Sequence, residues 1–422
     1  MDGRLFQERP EQAFLIGLEG LPEFGNWPTQ TSLGELESLV RTAGAEIRGS
    51  LLLRLRHPTP ATLVGPGQLA RALSRAKSEH ANVLVFDTEL APRQQRNIER
   101  MFGGKVLDRT AVILDIFSAR ASSVEGRLQV ERAQLEYLLP RLSDLWVEFS
   151  RQRGGIGPFR GPGETQIETD RRLYRDRMAE LDNKLDTVRR NRATRRQRRQ
   201  EAGLIAGALI GYTNAGKSTL LNALTQSNVT AENKLFVTLD PTTRKMPLPD
   251  GGAMLLTDTV GFIQRLPTKL IQAFRATLEE SLEAQVLIHV IDVASPNFRS
   301  QAEVVEKTLE HIGVGPQPVV SALNKTDIAP VHGPTPFPNA VSISAETGAG
   351  LDELRARLAE IAQMLSVEVS VRIPYGSGDL VNLFHRQGAV RSQVHEPSGT
   401  RIDGTLPHSL LGRYQEYIVK RR

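Results

Sequence analysis

The chain reads as a multidomain α/β protein, and three observations carry that reading. Its 422 residues exceed what a single core holds, which predicts two to four domains. Short apolar runs alternate with helical periodicity over residues 12–107 and again from Leu204 onward, the pattern of largely parallel sheets flanked by helices. Between these regions, residues 151–200 hold fourteen Arg and one Lys against seven acids, although the whole chain is only +5. The basic charge is therefore concentrated in one segment.

The first domain, 1–109, alternates strand and helix. Residues 13–18 form an apolar strand, and Leu33, Leu36, Leu39 and Val40 mark one face of a helix. A strand over 46–55, a helix over 68–78, a buried strand over 83–86 ending at Asp87, a helix over 92–101 opened by Pro92 and a short strand over 105–107 follow. Gly65-Pro66-Gly67 precedes a helix but lacks the lysine and the spacing of a phosphate site, and reads as a turn.

A helical hairpin is expected over 110–200. Residues 110–142 are helical, with Leu128, Leu135, Leu138, Leu139 and Leu142 at core spacing. A glycine-rich loop over 154–166 carries Phe159 and Arg160, and Arg153 stands just before it. A second helix over 167–200 shows a seam of Leu173, Leu181, Leu185 and Val188. That helix ends in Arg189, Arg190, Arg192, Arg195, Arg196, Arg198 and Arg199, with no acid between Asp186 and Glu201. Solvated helix faces normally mix signs, and unbalanced arginine repels itself unless a polyanion neutralises it. The hairpin is therefore expected to contact nucleic acid, with the loop's arginines and Phe159 suited to stacking on RNA bases.

The third domain, 201–364, declares a chemistry. Gly211-Tyr212-Thr213-Asn214-Ala215-Gly216-Lys217-Ser218 follows the apolar run from Leu204 to Ile210 and precedes a helical pattern carrying Leu220, Leu221 and Leu224. This is G-x-x-x-x-G-K-S between a strand and a helix, the context of a phosphate-binding loop. Its glycines let successive N–H groups point at a phosphate in front of a helix N-terminus. Lys217 would reach the β- and γ-phosphates, and the Ser218 hydroxyl would sit on Mg²⁺. About 40 residues on comes Asp258-Thr259-Val260-Gly261, after an apolar run. The carboxylate can hold magnesium, and the glycine lets its N–H approach the γ-phosphate.

Asn324-Lys325-Thr326-Asp327 ends a third apolar run. A carboxylate there can accept both the N1–H and the 2-amino group of guanine, donors that adenine lacks. Ser344-Ala345-Glu346, after another short apolar run, fits the loop that closes over the base. Between the first two motifs lie Phe236-Val237-Thr238-Leu239-Asp240. Thr238 is the choice for the hydroxyl that senses the triphosphate, and Thr242 or Thr243 could serve instead. The fold class is thus an α/β chain with a P-loop GTPase domain, expected to bind GTP and GDP with Mg²⁺. Its site comprises all the residues just named, with Lys217, Thr238 and Gly261 catalytic and Ser218, Thr238 and Asp258 on the metal. His289 sits in an apolar strand and reads as a core histidine.

The last domain, 365–422, is a small α+β unit. Val367, Val369, Val371 and Ile373 alternate, followed by a helix over 379–386 and strands over 390–396 and 400–406. No apolar stretch approaches the ~20 residues of a membrane span. The N-terminus lacks a signal peptide pattern, and the absence of cysteine excludes disulfides and cysteine metal sites. A nucleotide ligand of this kind places the expected setting in the cytoplasm.

Several segments resemble HflX-type GTPases. They are Asp108-Arg109-Thr110, Ile113 to Phe117, Leu128-Gln129-Val130-Glu131, Tyr137 to Leu142, Gly161 to Arg172 and Leu235 to Arg244. The resemblance implies a ribosome-associated GTPase that contacts the large (50S) subunit and its rRNA, acting in ribosome splitting, rescue or subunit biogenesis. A GTPase for another RNA target, such as an rRNA-maturation factor, is the alternative, and a monomer is expected.

Phe262 follows Gly261, where Ras-like GTPases carry a water-orienting glutamine. Phenylalanine makes no such hydrogen bond, so slow intrinsic hydrolysis and a ribosome-supplied group are expected; Gln264 stands nearby. Asn214 resembles the asparagine of potassium-activated GTPases, which would add K⁺ as a cofactor, though an asparagine that merely caps the loop reads as well.

Overall fold

The computed structural model describes residues 10–419, apart from 21–26, 56, 143–161, 202–203, 228–234, 237, 250–251, 266–282, 331–332 and 334. The chain forms two compact units. One comprises Met1–Asp186 with Lys234–Phe236 and Gln264–Phe274; the other comprises Thr187–Asn233, Val237–Ile263 and Arg275–Arg422.

The first unit is built on a four-stranded parallel sheet, ordered β2-β1-β3-β4, from β1 (Gln12–Glu19), β2 (Glu46–Arg54), β3 (Val83–Phe86) and β4 (Lys105–Asp108). All of Ala13 to Leu18 in β1 are buried, as a central strand covered on both faces requires. The apolar faces of helices Pro66–Ser78 and Pro92–Phe102 close one side through Leu69, Leu73, Ile98 and Phe102. Helix Thr29–Thr42 buries the four residues expected of it, Leu33, Leu36, Leu39 and Val40.

Two expectations for 110–200 are corrected. The first stretch is not continuous: helix Arg109–Arg120 stops, and Ser123 caps a new helix, Val124–Leu138, by accepting from the Gly126 N–H at 2.8 Å. The buried face of that second helix is Gly126, Gln129, Val130 and Ala133. Leu128, Leu135 and Leu139 are half-buried and Leu138 is exposed, so of the five leucines only Leu142 is buried. The long helix runs Pro162–Glu201 and so begins inside the segment read as glycine-rich loop. Proline's fixed φ suits a first helical position, which outweighs the neighbouring Gly163. Of the expected seam, Leu181 and Leu185 are buried, whereas Leu173 is 57% exposed. The glycine-rich loop up to 161, with Arg153, Phe159 and Arg160, lies outside the described residues.

The second unit holds a six-stranded sheet ordered β10-β9-β8-β5-β7-β6. Its strands are β5 (Ile205–Gly211), β6 (Thr242–Pro247), β7 (Ala253–Asp258), β8 (Val286–Asp292), β9 (Val319–Asn324) and β10 (Val341–Ser342). All neighbours are parallel except β6 and β7. Central β5 and β8 are buried at every position but Ala206 and Asp292, and helices Lys217–Thr225 and Leu351–Met364 cover them with Leu220, Leu221, Leu224, Leu354 and Leu358. The parallel order directs the carboxyl ends of β5, β7, β8 and β9 to one edge, where α/β sheets bind ligands.

The same unit contains an antiparallel sheet, β11-β13-β12, from β11 (Ser366–Ile373), β12 (Ala389–Glu396) and β13 (Gly399–Pro407). With helix Gly378–Gln387 it closes a small core of Val371, Ile373, Phe384, Ile402, Leu406 and Tyr414. No helix among the described residues is long and apolar enough to cross a membrane.

Candidate nucleotide site

The phosphate loop leaves β5 at Gly211 and enters helix Lys217–Thr225 at Gly216. Gly216 takes φ 94°, and a Cβ there would stand 2.3 Å from Asn324 Nδ2, so both conformation and space demand glycine. The loop is pinned to the strand-end that follows Asp258. Thr213 N donates to the Phe262 carbonyl at 2.7 Å, and Phe262 N donates to the Gly211 carbonyl at 3.1 Å. A side chain on Gly261 would come within 2.8 Å of Thr213 Cα and 3.0 Å of Lys217 Nζ, so only glycine lets that backbone approach the loop.

Lys217 is buried, and its Nζ donates to the carbonyls of Gly211 at 3.2 Å and Tyr212 at 2.9 Å. Burial pushes its pKa down to about 8, with Asp258 opposing the shift. Asp258 moves the other way: burial raises it, while Lys217, Ser218, Thr238 and the Thr259 N–H draw it back.

Three oxygens converge at the end of β7. Ser218 Oγ donates to Asp258 Oδ2 at 2.6 Å, Thr238 Oγ1 donates to the same oxygen at 2.9 Å, and the two hydroxyls lie 2.8 Å apart. Neighbouring ligands of an octahedral Mg²⁺ with 2.0–2.1 Å bonds stand about 2.9 Å apart. All are hard oxygen donors, so the set fits that ion. Asp258 Oδ1 and Thr213 Oγ1 are buried with no hydrogen-bond partner among the described residues, which marks polar capacity left for a ligand. Thr242 and Thr243, by contrast, lie in β6. Thr243 Oγ1 is 2.9 Å from Thr257 Oγ1, and Thr242 makes only a 3.5 Å contact to the Asp240 carbonyl.

At the other end of the site Asn324 acts as a brace. Its Nδ2 donates to the Ala215 carbonyl at 2.8 Å, and its Oδ1 accepts from Ala345 N at 2.9 Å. Lys325, held at φ 69°, donates to Asp292 at 2.6 Å and to the Asn214 carbonyl at 3.0 Å. Thr326 Oγ1 donates to the Ile343 carbonyl at 2.9 Å, and Ser344 Oγ accepts from Thr347 N at 3.1 Å, which shapes the turn carrying Glu346. Asp327 and Glu346 are exposed, while Ser344 and Ala345 are buried. Of the remaining expected residues, Tyr212, Ala215, Leu239, Thr259 and Val260 are buried in or beside the loops, and Asp240 is half-buried. Asn214 takes φ 63° at the crest of the loop. Phe236 belongs to the first unit, and Val237 lies outside the described residues.

Asp292, the partner of Lys325, was not singled out from sequence; an acid closing an apolar run, as Asp258 does, was the available signal. His289 is 3% exposed within β8, and burial pushes its pKa down to about 4, which suits a core histidine rather than a base.

Comparison with known proteins matches the chain to three family models. They are a GTP-binding GTPase N-terminal region over residues 30–118, a GTP-binding GTPase middle region over 120–199, and a 50S ribosome-binding GTPase over 206–325. The chain is 41% identical over 418 residues to a GTPase HflX of Magnetococcus marinus, covering 98% of this chain and 96% of that one. It is 42% identical over 396 residues to the GTPase HflX of Escherichia coli, covering 92% of each. Among solved structures it is similar to a GTP-binding protein of Sulfolobus solfataricus in complex with GDP, with 24% identity, TM-score 0.44, and coverage of 84% of this chain and 99% of that one. With relatives of about 40% identity over nearly its full length, the chain belongs to the HflX family of GTPases and hydrolyses GTP.

Proposed function

We propose that this GTPase is a magnesium-dependent switch that docks on the large (50S) ribosomal subunit in the cytoplasm and acts, as a monomer, in ribosome splitting, rescue or subunit biogenesis. The observation that carries the docking half is the arginine run from Arg189 to Arg199 on helix Pro162–Glu201, an element about 60 Å long at 1.5 Å per residue. That run, about 16 Å of the helix, is unbalanced positive charge of the kind that the phosphates of folded RNA match. The domain division at 109/110, 200/201 and 364/365 belongs to the same reading.

In the hydrolytic half, Lys217 takes the β- and γ-phosphates and the Gly261 N–H meets the γ-phosphate. Ser218 and Thr238 would hold the metal, with Asp258 behind them. Magnesium, when bound, neutralises charge between the β- and γ-phosphates. Asp327 selects guanine, and the Ser344–Ala345–Glu346 turn closes over the base. Phe262 is 2% exposed and tied by its backbone to the loop, so its side chain orients no water. The missing group then comes from the docked ribosome, and Asn214 offers a site where K⁺ would add charge beside the transferring phosphoryl group.

Hydrolysis is measured with and without purified 50S subunits, at two salt concentrations and in K⁺ or Na⁺ buffer. The expected outcome is a free turnover well below 1 s⁻¹, strong stimulation by 50S, and loss of that stimulation as salt rises. Brisk turnover without stimulation would redirect the reading to an rRNA-maturation or other RNA-directed switch. Equal rates in both cations would remove potassium from it.

A further inference from the structure

Thr213, in the phosphate loop, carries a hydroxyl that the fold itself does not use. The residue is 7% exposed, and its Oγ1 is buried with no hydrogen-bond partner among the described residues. A hydroxyl taken out of water and left unpaired is costly. Valine would fill the same space without that cost, so packing alone gives no reason for threonine here.

The main chain of Thr213 is already committed. Its N–H donates to the Phe262 carbonyl at 2.7 Å, and Phe262 N donates back to the Gly211 carbonyl at 3.1 Å. The hydroxyl is then the donor that Thr213 has left for a ligand. Its neighbours indicate which ligand. A Cβ built on Gly261 would stand 2.8 Å from Thr213 Cα, 2.9 Å from Thr213 Cγ2 and 3.0 Å from Lys217 Nζ. Thr213, Gly261 and Lys217 thus border one small space, and all of them belong to the second unit. Lys217 brings positive charge to that space, which calls for an anion.

We propose that the Thr213 hydroxyl is a catalytic group of the hydrolysis, donating to a γ-phosphoryl oxygen of GTP. This rests on the reading of Lys217 and Gly261 as contacts of the γ-phosphate. In the step, the water oxygen bonds to the γ-phosphorus as the bond to the β–γ bridging oxygen breaks. That oxygen leaves on GDP with the electron pair, and the proton lost by the water ends on the released phosphate. Thr213 keeps its own proton throughout and contributes a fixed dipole. Transition-state charge is spread over the outer γ-oxygens, and a donor already in place stabilises it without reorganisation. This contribution is separate from the one that Phe262 lacks: Thr213 holds a phosphoryl oxygen, and the water is left for another group to orient.

The test uses the full chain with Thr213→Val, which keeps the shape and removes the hydroxyl, and Thr213→Ser, which keeps the hydroxyl. Single-turnover GTP hydrolysis is read beside the affinities for GDP, a non-hydrolysable GTP analogue, and GDP with aluminium fluoride as a mimic of the transferring group. Thr213→Val should slow hydrolysis about a hundredfold and weaken the aluminium fluoride complex by a similar factor. GDP should bind it as before, and the GTP analogue should lose less than about fivefold, because the contact matters most in the transition state. Thr213→Ser should recover most of both large losses. Hydrolysis by Thr213→Val within about threefold of the parent chain, with GDP still bound, would overturn the proposal. Equal losses for GDP and the GTP analogue would overturn it too, since a reshaped loop accounts for them. Gly261→Ala separates the two levels. If it leaves analogue binding and hydrolysis unchanged, the reading of the γ-phosphate contacts fails, and the Thr213 assignment falls with it for that distinct reason. If Gly261→Ala abolishes hydrolysis and Thr213→Val spares it, the Thr213 assignment alone falls.

Discussion

In the first unit, the strand ends of β3 and β4 carry Asp87 and Asp108, much as β7 and β8 of the second unit end at Asp258 and Asp292. All four acids stand at the carboxyl edge of a parallel sheet, and the difference lies in what answers them. Asp87 is met by Arg109, Arg265 and Ser32. Asp108 accepts from the N–H groups of Leu90 and Ala111, from Tyr137 and from Arg141, whose guanidinium lies 3.6 Å over the Tyr137 ring. Asp292 accepts from Lys325 and from the Ala294 N–H. Asp258 alone of the four is met at Oδ2 by two hydroxyls and keeps Oδ1 without a hydrogen-bond partner among the described residues. One architecture thus yields a closed ionic joint in one sheet and an open ligand edge in the other. An acid whose hydrogen bonds are complete braces the fold; one that keeps capacity in reserve can take a metal and a nucleotide.

The sharpest way to break this contrast is at the ligand edge, where substitutions should alter chemistry and leave stability alone. Asp327→Asn should lower GTP affinity by about 10⁴ and move preference to xanthosine triphosphate, because the amide no longer accepts both guanine donors. Competition binding with the two triphosphates checks it; unchanged preference would remove Asp327 from base recognition. Next in size is the closed joint. Asp87→Ala leaves Arg109 and Arg265 buried without their shared acceptor and should cost about 3–5 kcal/mol in denaturant unfolding. A loss below about 1 kcal/mol would mean that the cluster relaxes into water and braces nothing.

The smallest effect lies inside the six-stranded sheet. Between pH 6.5 and 4 the unfolded chain takes a proton that His289, with its pKa lowered to about 4, refuses. Stability is therefore full above 6.5 and declines as pH falls through that window, by about 3 kcal/mol at 1.36 kcal/mol per unit. His289→Leu should flatten that part of the pH–stability curve, and a curve that keeps its slope would place the titration elsewhere.

The ligand edge was legible in the sequence because its chemistry demands identities at fixed spacing: glycines where a Cβ has no room, a lysine and a serine at one helix start. The motifs named Ser218 and Asp258, yet they left Thr238, Thr242 and Thr243 open, since a hydroxyl's reach depends on where β6 begins. The closed joint was not legible. Arg109 and Asp87 are 22 residues apart, Arg265 and Asp87 are 178 apart, and no local pattern announces a pair closed across such distances. Periodicity overreached for helix Val124–Leu138, where small and polar residues, rather than leucines, face inward. It also missed the start at Pro162, because glycine and proline read as loop until the N-terminal role of proline is weighed.

Asn324 has a consequence for two loops rather than one. Its amide ties the Ala215 carbonyl to the Ala345 N–H, so the cradle for phosphates and the turn proposed to cover the base share one fastener. A change that removed this amide would therefore loosen both loops at once.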